Sequence, residues 1–133
     1  KRNIMIQINE LRVGNLIQEG KVEQIDNSID EVYYSGDGYY QSNYCCNLNP
    51  IPLNEEWLLK FGFEKSVQNF DYFQRVKYFD YSIKVGFHKI TFIIDEYGYL
   101  KAATNTYVKS VHQLQNLYFA LVNSELQLLE AGI

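Results

Sequence analysis

The most informative segment for the architecture is Asn54-Glu55-Glu56-Trp57-Leu58-Leu59-Lys60-Phe61-Gly62-Phe63. Asn54 is a good helix N-cap, and the two glutamates after it place negative charge in the first turn, where the helix dipole favours it. Gly62 suits the left-handed residue that closes a helix, and Phe63 can then fold back on Leu58. The stretch therefore predicts a short helix over residues 54 to 61.

On the N-terminal side of this helix, short apolar stretches alternate with turn formers. Leu16-Ile17 and the segment 21–25 flank Gly20, which predicts a β-hairpin. A third strand is expected from Ile29 to Tyr34, and Ser35-Gly36-Asp37-Gly38 supplies residues that tolerate the positive φ of a tight turn. We expect a small β-meander, or an SH3-like half-barrel, over about residues 9–48.

On the C-terminal side, residues 70–102 show the period-two pattern of antiparallel strands. The expected strands cover Asp71–Tyr78, Tyr81–Val85, Ile90–Asp95 and Tyr99–Ala103, with reversals at Gly86–His88 and Glu96–Gly98. Ser110 and Gln113 then form a capping box. An apolar stripe of helical spacing follows, made of Val111, Leu114, Leu117, Tyr118 and Leu121. This predicts a C-terminal helix packed on the sheet, with residues 125–129 returning as an edge strand. The whole is one α+β domain, its second lobe covering about residues 50–133.

Charge and cysteine content limit the possible partners. Twelve basic residues face sixteen acidic ones, and no basic residue lies between Lys21 and Lys60. Binding to nucleic acid is therefore disfavoured, because it requires neutralisation of phosphates. No apolar run reaches the roughly 18 residues of a membrane span. Cys45 and Cys46 are adjacent, which strains a disulfide and indicates a reducing compartment. We expect a soluble, cytoplasmic protein.

Reactive side chains are few. His112 lies in the first helical turn, where the dipole disfavours its protonated form, and His88 lies in a strand turn. Vicinal cysteines do not form a metal knuckle, and the adjacent acid pairs are not arranged as an acid/base dyad. The sequence thus predicts no catalytic residue, no metal and no cofactor.

The aromatic content is unusual, since 12 Tyr, 8 Phe and 1 Trp make up 16% of the chain. Tyrosines in a hairpin can form a recognition surface, because each offers a rigid ring and a hydroxyl; the alternative is that about half of them fill the sheet core and edges. The polar residues near the C-terminal helix start are a second candidate, since packing alone does not require them. The candidate binding residues are Tyr33, Tyr34, Tyr39, Tyr40, Tyr44, His112, Gln113, Gln115 and Asn116.

Three motifs carry a resemblance to a known family. They are Asn9-Glu10-Leu11-Arg12-Val13-Gly14-Asn15, Pro50-Ile51-Pro52-Leu53-Asn54-Glu55-Glu56-Trp57-Leu58 with Phe61-Gly62-Phe63, and Val111-His112-Gln113-Leu114-Gln115-Asn116-Leu117-Tyr118-Phe119-Ala120-Leu121. In order and spacing the chain resembles a family of small uncharacterised proteins encoded by phages, prophages and other mobile elements of gut anaerobes. Asn54 stands where that family has Thr, and it keeps the capping role. The resemblance implies a cytoplasmic accessory protein and supplies no activity or site residue.

The function we expect is a non-enzymatic protein-interaction module that binds a protein partner or a second copy through the hairpin from Tyr33 to Tyr44. The alternative is a nucleic-acid-associated accessory protein in which an SH3-like or aromatic sheet surface stacks bases. A third possibility is an enzyme built around His112. A deep pocket that joins the His112 imidazole to a carboxylate would indicate such an enzyme.

Overall fold

The computed structural model describes residues 5–36, 38–73, 75–85, 87–95, 100–102 and 108–129. An N-terminal antiparallel sheet, a short helix, a second antiparallel sheet and a C-terminal helix follow one another along the chain. The predicted α+β class is therefore confirmed. The reversal expected at Glu96–Gly98 lies outside the described residues. Among the described residues, no helix combines the length and apolarity needed to cross a bilayer.

The first sheet is the expected meander. Its strands are β1 (Leu16–Ile17), β2 (Gly20–Asp26), β3 (Glu31–Gly36) and β4 (Tyr39–Tyr44), and they lie in that order. The third strand begins at residue 31 because Asp30 has a left-handed φ of 55°. A hydrophobic core forms on one face of this sheet. Its buried residues are Ile6, Leu11, Ile17, Val22, Val32, Tyr34, Cys45 and Leu48.

The middle helix, α1 (Glu55–Lys60), begins and ends as its sequence predicts. The Asn54 side chain accepts a hydrogen bond from the backbone N–H of Trp57 at 3.0 Å. Gly62 has a φ of +94°, and the N–H of Phe63 donates to the carbonyl of Leu58 at 3.0 Å. These bonds close the helix in a Schellman motif, which a residue with a Cβ could adopt only under strain.

The second sheet has five strands: β5 (Glu64–Lys65), β6 (Asn69–Asp71), β7 (Val76–Val85), β8 (His88–Asp95) and β9 (Leu100–Ala102). One prediction is wrong, because the strand expected from Asp71 to Tyr78 is a hairpin. The Asp71 side chain accepts the N–H of Phe73 at 2.9 Å, and Arg75 has a left-handed φ of 57°. Both features turn the chain between β6 and β7. Aromatic residues gave this segment the composition of a strand, yet Phe73 is fully exposed.

The C-terminal helix, α2 (Val111–Val122), packs on this second sheet. Its Val111 and Leu114 share a buried cluster with Tyr81 and Phe92. The predicted stripe does not extend to Leu121, which is 55% exposed. The edge strand expected at residues 125–129 is also wrong: this segment has no strand and is held by buried Leu126 and by the N–H of Leu129, which donates to the carbonyl of Lys60 at 2.8 Å.

Candidate functional site

The two lobes meet at a group of polar side chains that we call the polar junction: Glu10, Arg12, Asn15, His112, Gln115 and Asn116. The first three precede β1, and the last three lie on α2. Asn15 is fully buried and stands after a tight turn in which Gly14 has a φ of +99°. Its carbonyl oxygen Oδ1 accepts the N–H of Arg12 at 2.7 Å, and its Nδ2 donates to Asn116 at 2.9 Å. One amide thus fixes the turn and joins it to the helix.

The side chain of Gln115 takes the place of a neighbouring strand beside β1. Its Oε1 accepts the N–H of Leu16 at 2.8 Å, and its Nε2 donates to the carbonyl of Gly14 at 3.2 Å. Asn116 extends this pattern, because its Nδ2 donates to the carbonyl of Glu10 at 2.7 Å. The N–H of Leu16 and the carbonyl of Gly14 lie at β1 and just before it. The helix therefore satisfies hydrogen bonds that this edge of the sheet would otherwise leave open.

Arg12 connects three parts of the chain. Its Nη1 donates to Asn116 Oδ1 at 2.6 Å, and its Nη2 donates to Glu125 in an ion pair. The guanidinium also lies over the ring of Phe119, with Cζ 4.1 Å from the ring centroid. A planar guanidinium can donate and stack at once, whereas a lysine ammonium cannot.

His112 is 1% exposed and has a partner at each ring nitrogen. Nε2 lies 3.0 Å from Glu10 Oε1, and Nδ1 lies 3.2 Å from the hydroxyl of Ser110. That hydroxyl accepts the N–H of Gln113, so its own proton is free for Nδ1. A neutral imidazole with the proton on Nε2 satisfies each of these hydrogen bonds, from Glu10 through His112 and Ser110 to Gln113. A cavity of about 160 Å³ adjoins it, lined by Met5, Ile6, Glu10, Pro50, Pro52, Lys109, Ser110, His112 and Gln113.

The polar set on α2 is therefore used inside the chain. His112 and Gln115 are buried, Asn116 is half-buried, and Gln113 is exposed with its Oε1 accepting the N–H of Lys109 at 2.8 Å. No buried side-chain nitrogen or oxygen of the described residues lacks a hydrogen-bond partner. The expectation that packing does not require these residues is wrong for His112, Gln115 and Asn116, because their side chains bond to residues 10–16 of the N-terminal lobe.

The five candidate tyrosines divide between the core and the surface. Tyr34 is buried in the first core, where it fills space beneath the sheet. Tyr33 is half-buried, and its ring stacks on Tyr40 at a centroid distance of 6.0 Å. On the edge strand β4, Tyr39, Tyr40 and Tyr44 are 68%, 60% and 57% exposed. We call β4 with these three residues the tyrosine strand.

The tyrosine strand borders an acidic face. Tyr40 and Tyr44 are paired with Ser35 and Glu31 of β3, and they therefore share the outer face of the sheet with these residues. The hydroxyl of Tyr33 donates to Glu31 at 3.0 Å, and this bond to a carboxylate raises the pKa of the phenol. Asp26 pairs with Glu31 from β2. The uncharged strand thus adjoins carboxylates.

A second polar group lies beside a cavity of about 350 Å³ on the second sheet. Lys65 Nζ donates to Glu55 at 3.1 Å, which lowers the pKa of that carboxyl. Burial raises the pKa of the Tyr81 phenol, and Glu55 adds to the rise. A phenol that keeps its proton at neutral pH is a poor base, so this group is best explained as an ion pair over an aromatic wall.

The cysteines and histidines provide no metal centre within the described residues, where no three acidic, His or Cys side chains converge. Cys45 is buried and Cys46 exposed, both as free thiols. Burial raises the pKa of the Cys45 thiol to about 11, and such a thiol is unreactive at neutral pH. The side chain of His88 lies outside the described part of the chain.

Sequence reasoning missed the roles of Glu10, Arg12 and Asn15. The motif from Asn9 to Asn15 contained the signal, because a polar run around a turn glycine needs hydrogen-bond partners.

Comparisons with protein-family models, with curated proteins and with solved structures gave no match for this chain.

Proposed function

We propose that this chain is a non-enzymatic protein-interaction module that binds a protein partner, either another protein or a second copy of the chain, through the tyrosine strand. The observation that carries the proposal is the exposure of Tyr39, Tyr40 and Tyr44 on an edge strand whose hydrogen-bonding groups face outward. Exposed tyrosines offer contact area at low entropic cost, and open strand edges recruit further strands. Where the partner is another protein, the carboxylates beside the strand favour a basic surface on it.

We further propose that the protein is a cytoplasmic accessory protein of a phage or mobile element. The resemblance of its three motifs to such proteins supports the origin, and the two free thiols suit a reducing compartment. The four-stranded meander, interpreted as SH3-like, serves as the platform for the tyrosine strand.

A photo-crosslinking experiment tests the proposal. The photoreactive residue p-benzoylphenylalanine replaces Tyr39, Tyr40 or Tyr44 in turn, in the cells that encode the protein. Tyr72, which is 82% exposed in the turn between β6 and β7, is the matched control position. We expect protein adducts from the three strand positions and none from position 72. Equal adducts from Tyr72, or no protein adduct from any strand position, would contradict the proposal. Salt-dependent crosslinks to nucleic acid in place of protein would favour the nucleic-acid alternative.

A hydrolase is the second candidate, because the hydroxyl of Ser110, the imidazole of His112 and the carboxylate of Glu10 form a connected chain beside a cavity. This is the connectivity of a hydroxyl nucleophile with its base and orienting acid. Against it, Ser110 is 4% exposed and its oxygen caps α2. The non-enzymatic function is therefore the better supported of the two.

Labelling with a fluorophosphonate distinguishes these candidates. Ser110→Gly removes the hydroxyl at a cost of a few tenths of a kcal/mol to the cap. Labelling of the natural chain that disappears in this variant would establish a reactive serine. Absence of labelling in the natural chain, with a serine hydrolase as positive control, would exclude it.

A further inference from the structure

The sheets leave one long edge open. Among the described residues, β4 has six residues at an edge, while β1, β5, β6 and β9 have two or three. The outer side of β1 is already occupied, because Leu16 donates to Gln115 and the N–H of Gln18 donates to the carbonyl of Asn49 at 2.9 Å. Among the described edge strands, β4 is therefore the longest one available for backbone pairing with a further strand.

The strand β4 lacks the usual protections of an edge. Its sequence, Tyr39-Tyr40-Gln41-Ser42-Asn43-Tyr44, contains no charge and no proline, and its pairing with β3 has no bulge. Natural sheets commonly use such devices to prevent association of their edges. Their absence from an exposed six-residue strand favours pairing with a further strand.

The pattern of hydrogen bonds shows which backbone groups face outward. The N–H of Cys45 donates to the carbonyl of Asp30, which makes these two residues a hydrogen-bonded pair. Since such pairs alternate along an antiparallel ladder, Gln41 and Asn43 bond to β3, whereas Tyr40, Ser42 and Tyr44 point outward. The N–H of Tyr44 is capped by the side chain of Asn43 at 2.8 Å. Tyr40 and Ser42 therefore present complete pairs of open donors and acceptors.

We propose that two copies of this chain associate through antiparallel pairing of their β4 strands, with Gln41 facing Gln41 of the second copy. In this register Tyr40 of each copy exchanges two backbone hydrogen bonds with Ser42 of the other. The pairing uses the four outward backbone groups of Tyr40 and Ser42 in each copy and does not require Tyr44, whose N–H is capped. The inference rests on the proposed function and names a second copy as the partner.

Side-chain sizes suit this register. Cross-strand neighbours share a face, so the ring of Tyr40 lies opposite the small Ser42 of the second copy, and Tyr39 lies opposite Asn43. The two Gln41 amides meet at the twofold axis, where each can donate to the other. Large residues therefore face small or flexible ones along the strand.

Charge does not oppose the pairing, although each copy carries a net charge of -4. Glu31, the acid paired with Tyr44, would lie about 14 Å across the sheet and about 20 Å along it from Glu31 of the second copy. This separation exceeds two Debye lengths of roughly 8 Å at physiological salt.

One strand from each copy makes a small interface, so the dimer is expected to be weak. We expect a Kd on the order of 10–100 µM, as for interfaces at the low end of the size range. Sedimentation of the natural chain between about 5 and 500 µM measures it. Gln41→Lys places two like charges at the axis and should raise Kd at least tenfold, while Gln127→Lys, on an exposed residue of the C-terminal segment, should leave it unchanged.

Disulfide trapping tests the register. In a Cys46→Ser background, Gln41→Cys brings two Cα atoms to about 4.5 Å across the axis, within disulfide range. Tyr39→Cys is the control on the same face, because its two copies would lie four residues apart along the strands. We expect Gln41→Cys to cross-link at least tenfold faster than Tyr39→Cys, with unchanged circular dichroism.

Equal cross-linking rates, or a monomer throughout the concentration series, would overturn the proposed pairing. In that event, protein adducts from the photoreactive strand positions would still support an interaction module with another partner. Loss of those adducts as well would contradict the proposed function itself, so the two failures are distinguishable.

Discussion

The polar junction and the tyrosine strand are both rich in hydrogen-bonding side chains, but they use them in opposite ways. At the junction, Asn15, His112 and Gln115 are buried, and their buried side-chain nitrogen and oxygen atoms all have hydrogen-bond partners. On the tyrosine strand, side chains are exposed and the outer backbone groups of Tyr40 and Ser42 face away from β3. A motif with conspicuous polar residues is thus explained by folding when its hydrogen bonds are complete. Open groups are the better sign of a binding surface.

The largest effect should separate two tyrosines that are ten residues apart in sequence. Tyr34→Ala removes a buried ring and should lower the free energy of unfolding by about 3–4 kcal/mol. Tyr44→Ala removes an exposed ring and should change it by less than about 0.5 kcal/mol. Urea denaturation followed by circular dichroism measures both. Similar losses for the two variants would break the distinction between core and binding tyrosines.

The next effect concerns the centre of the polar junction. Asn15→Ala leaves the N–H of Arg12 without its acceptor and should lower the free energy of unfolding by about 2–3 kcal/mol. Asn27→Ala, at an exposed turn position, is the matched control and should cost less than about 0.5 kcal/mol. If both asparagines proved equally dispensable in urea denaturation, the junction would not be a structural element.

A smaller effect is expected from Arg12→Lys. The ammonium keeps the charge near Glu125 but loses the second hydrogen bond, to Asn116, and the stacking on Phe119. We expect a loss of about 1 kcal/mol in thermal or urea denaturation, against no measurable change for Arg75→Lys on the surface. No loss in Arg12→Lys, or an equal loss in Arg75→Lys, would contradict the role given to the guanidinium of Arg12.

The smallest effect should come from the exposed ion pair of Glu55 and Lys65, and it depends on pH. Lys65 lowers the pKa of Glu55 below its ordinary value of 4.5, so the pair stabilises the folded state above that value. The contribution disappears as the pH falls through the lowered folded-state pKa. Glu55→Gln should therefore cost a few tenths of a kcal/mol at pH 7 and nothing near pH 2. Urea denaturation at both pH values, with Glu64→Gln as control, checks this; a cost that persists at low pH would contradict it.

The elements that sequence reasoning predicted are those determined by near neighbours. Asn54 caps its helix three residues away, and Gly62 closes it within the same turn. The β6–β7 turn was missed because its left-handed residue is Arg75, and no sequence rule assigns that conformation to arginine in advance.

The polar junction could not be predicted, because its bonds join residues far apart in sequence. Glu10 and His112 are separated by 102 positions, and nothing local indicates that they meet. The tyrosines show the same limit: Tyr33 and Tyr34 are adjacent, and only the register of β3 decides which of them faces the core.

The amide of Gln115 has one further consequence. Its side chain takes the place of a strand beside β1, so that among the described strands of the first sheet β4 is the edge strand left open along its whole length. A subunit with one open edge adds one neighbour and then stops. If β4 pairs with a second copy as we propose, this helix side chain favours a closed dimer over a fibre.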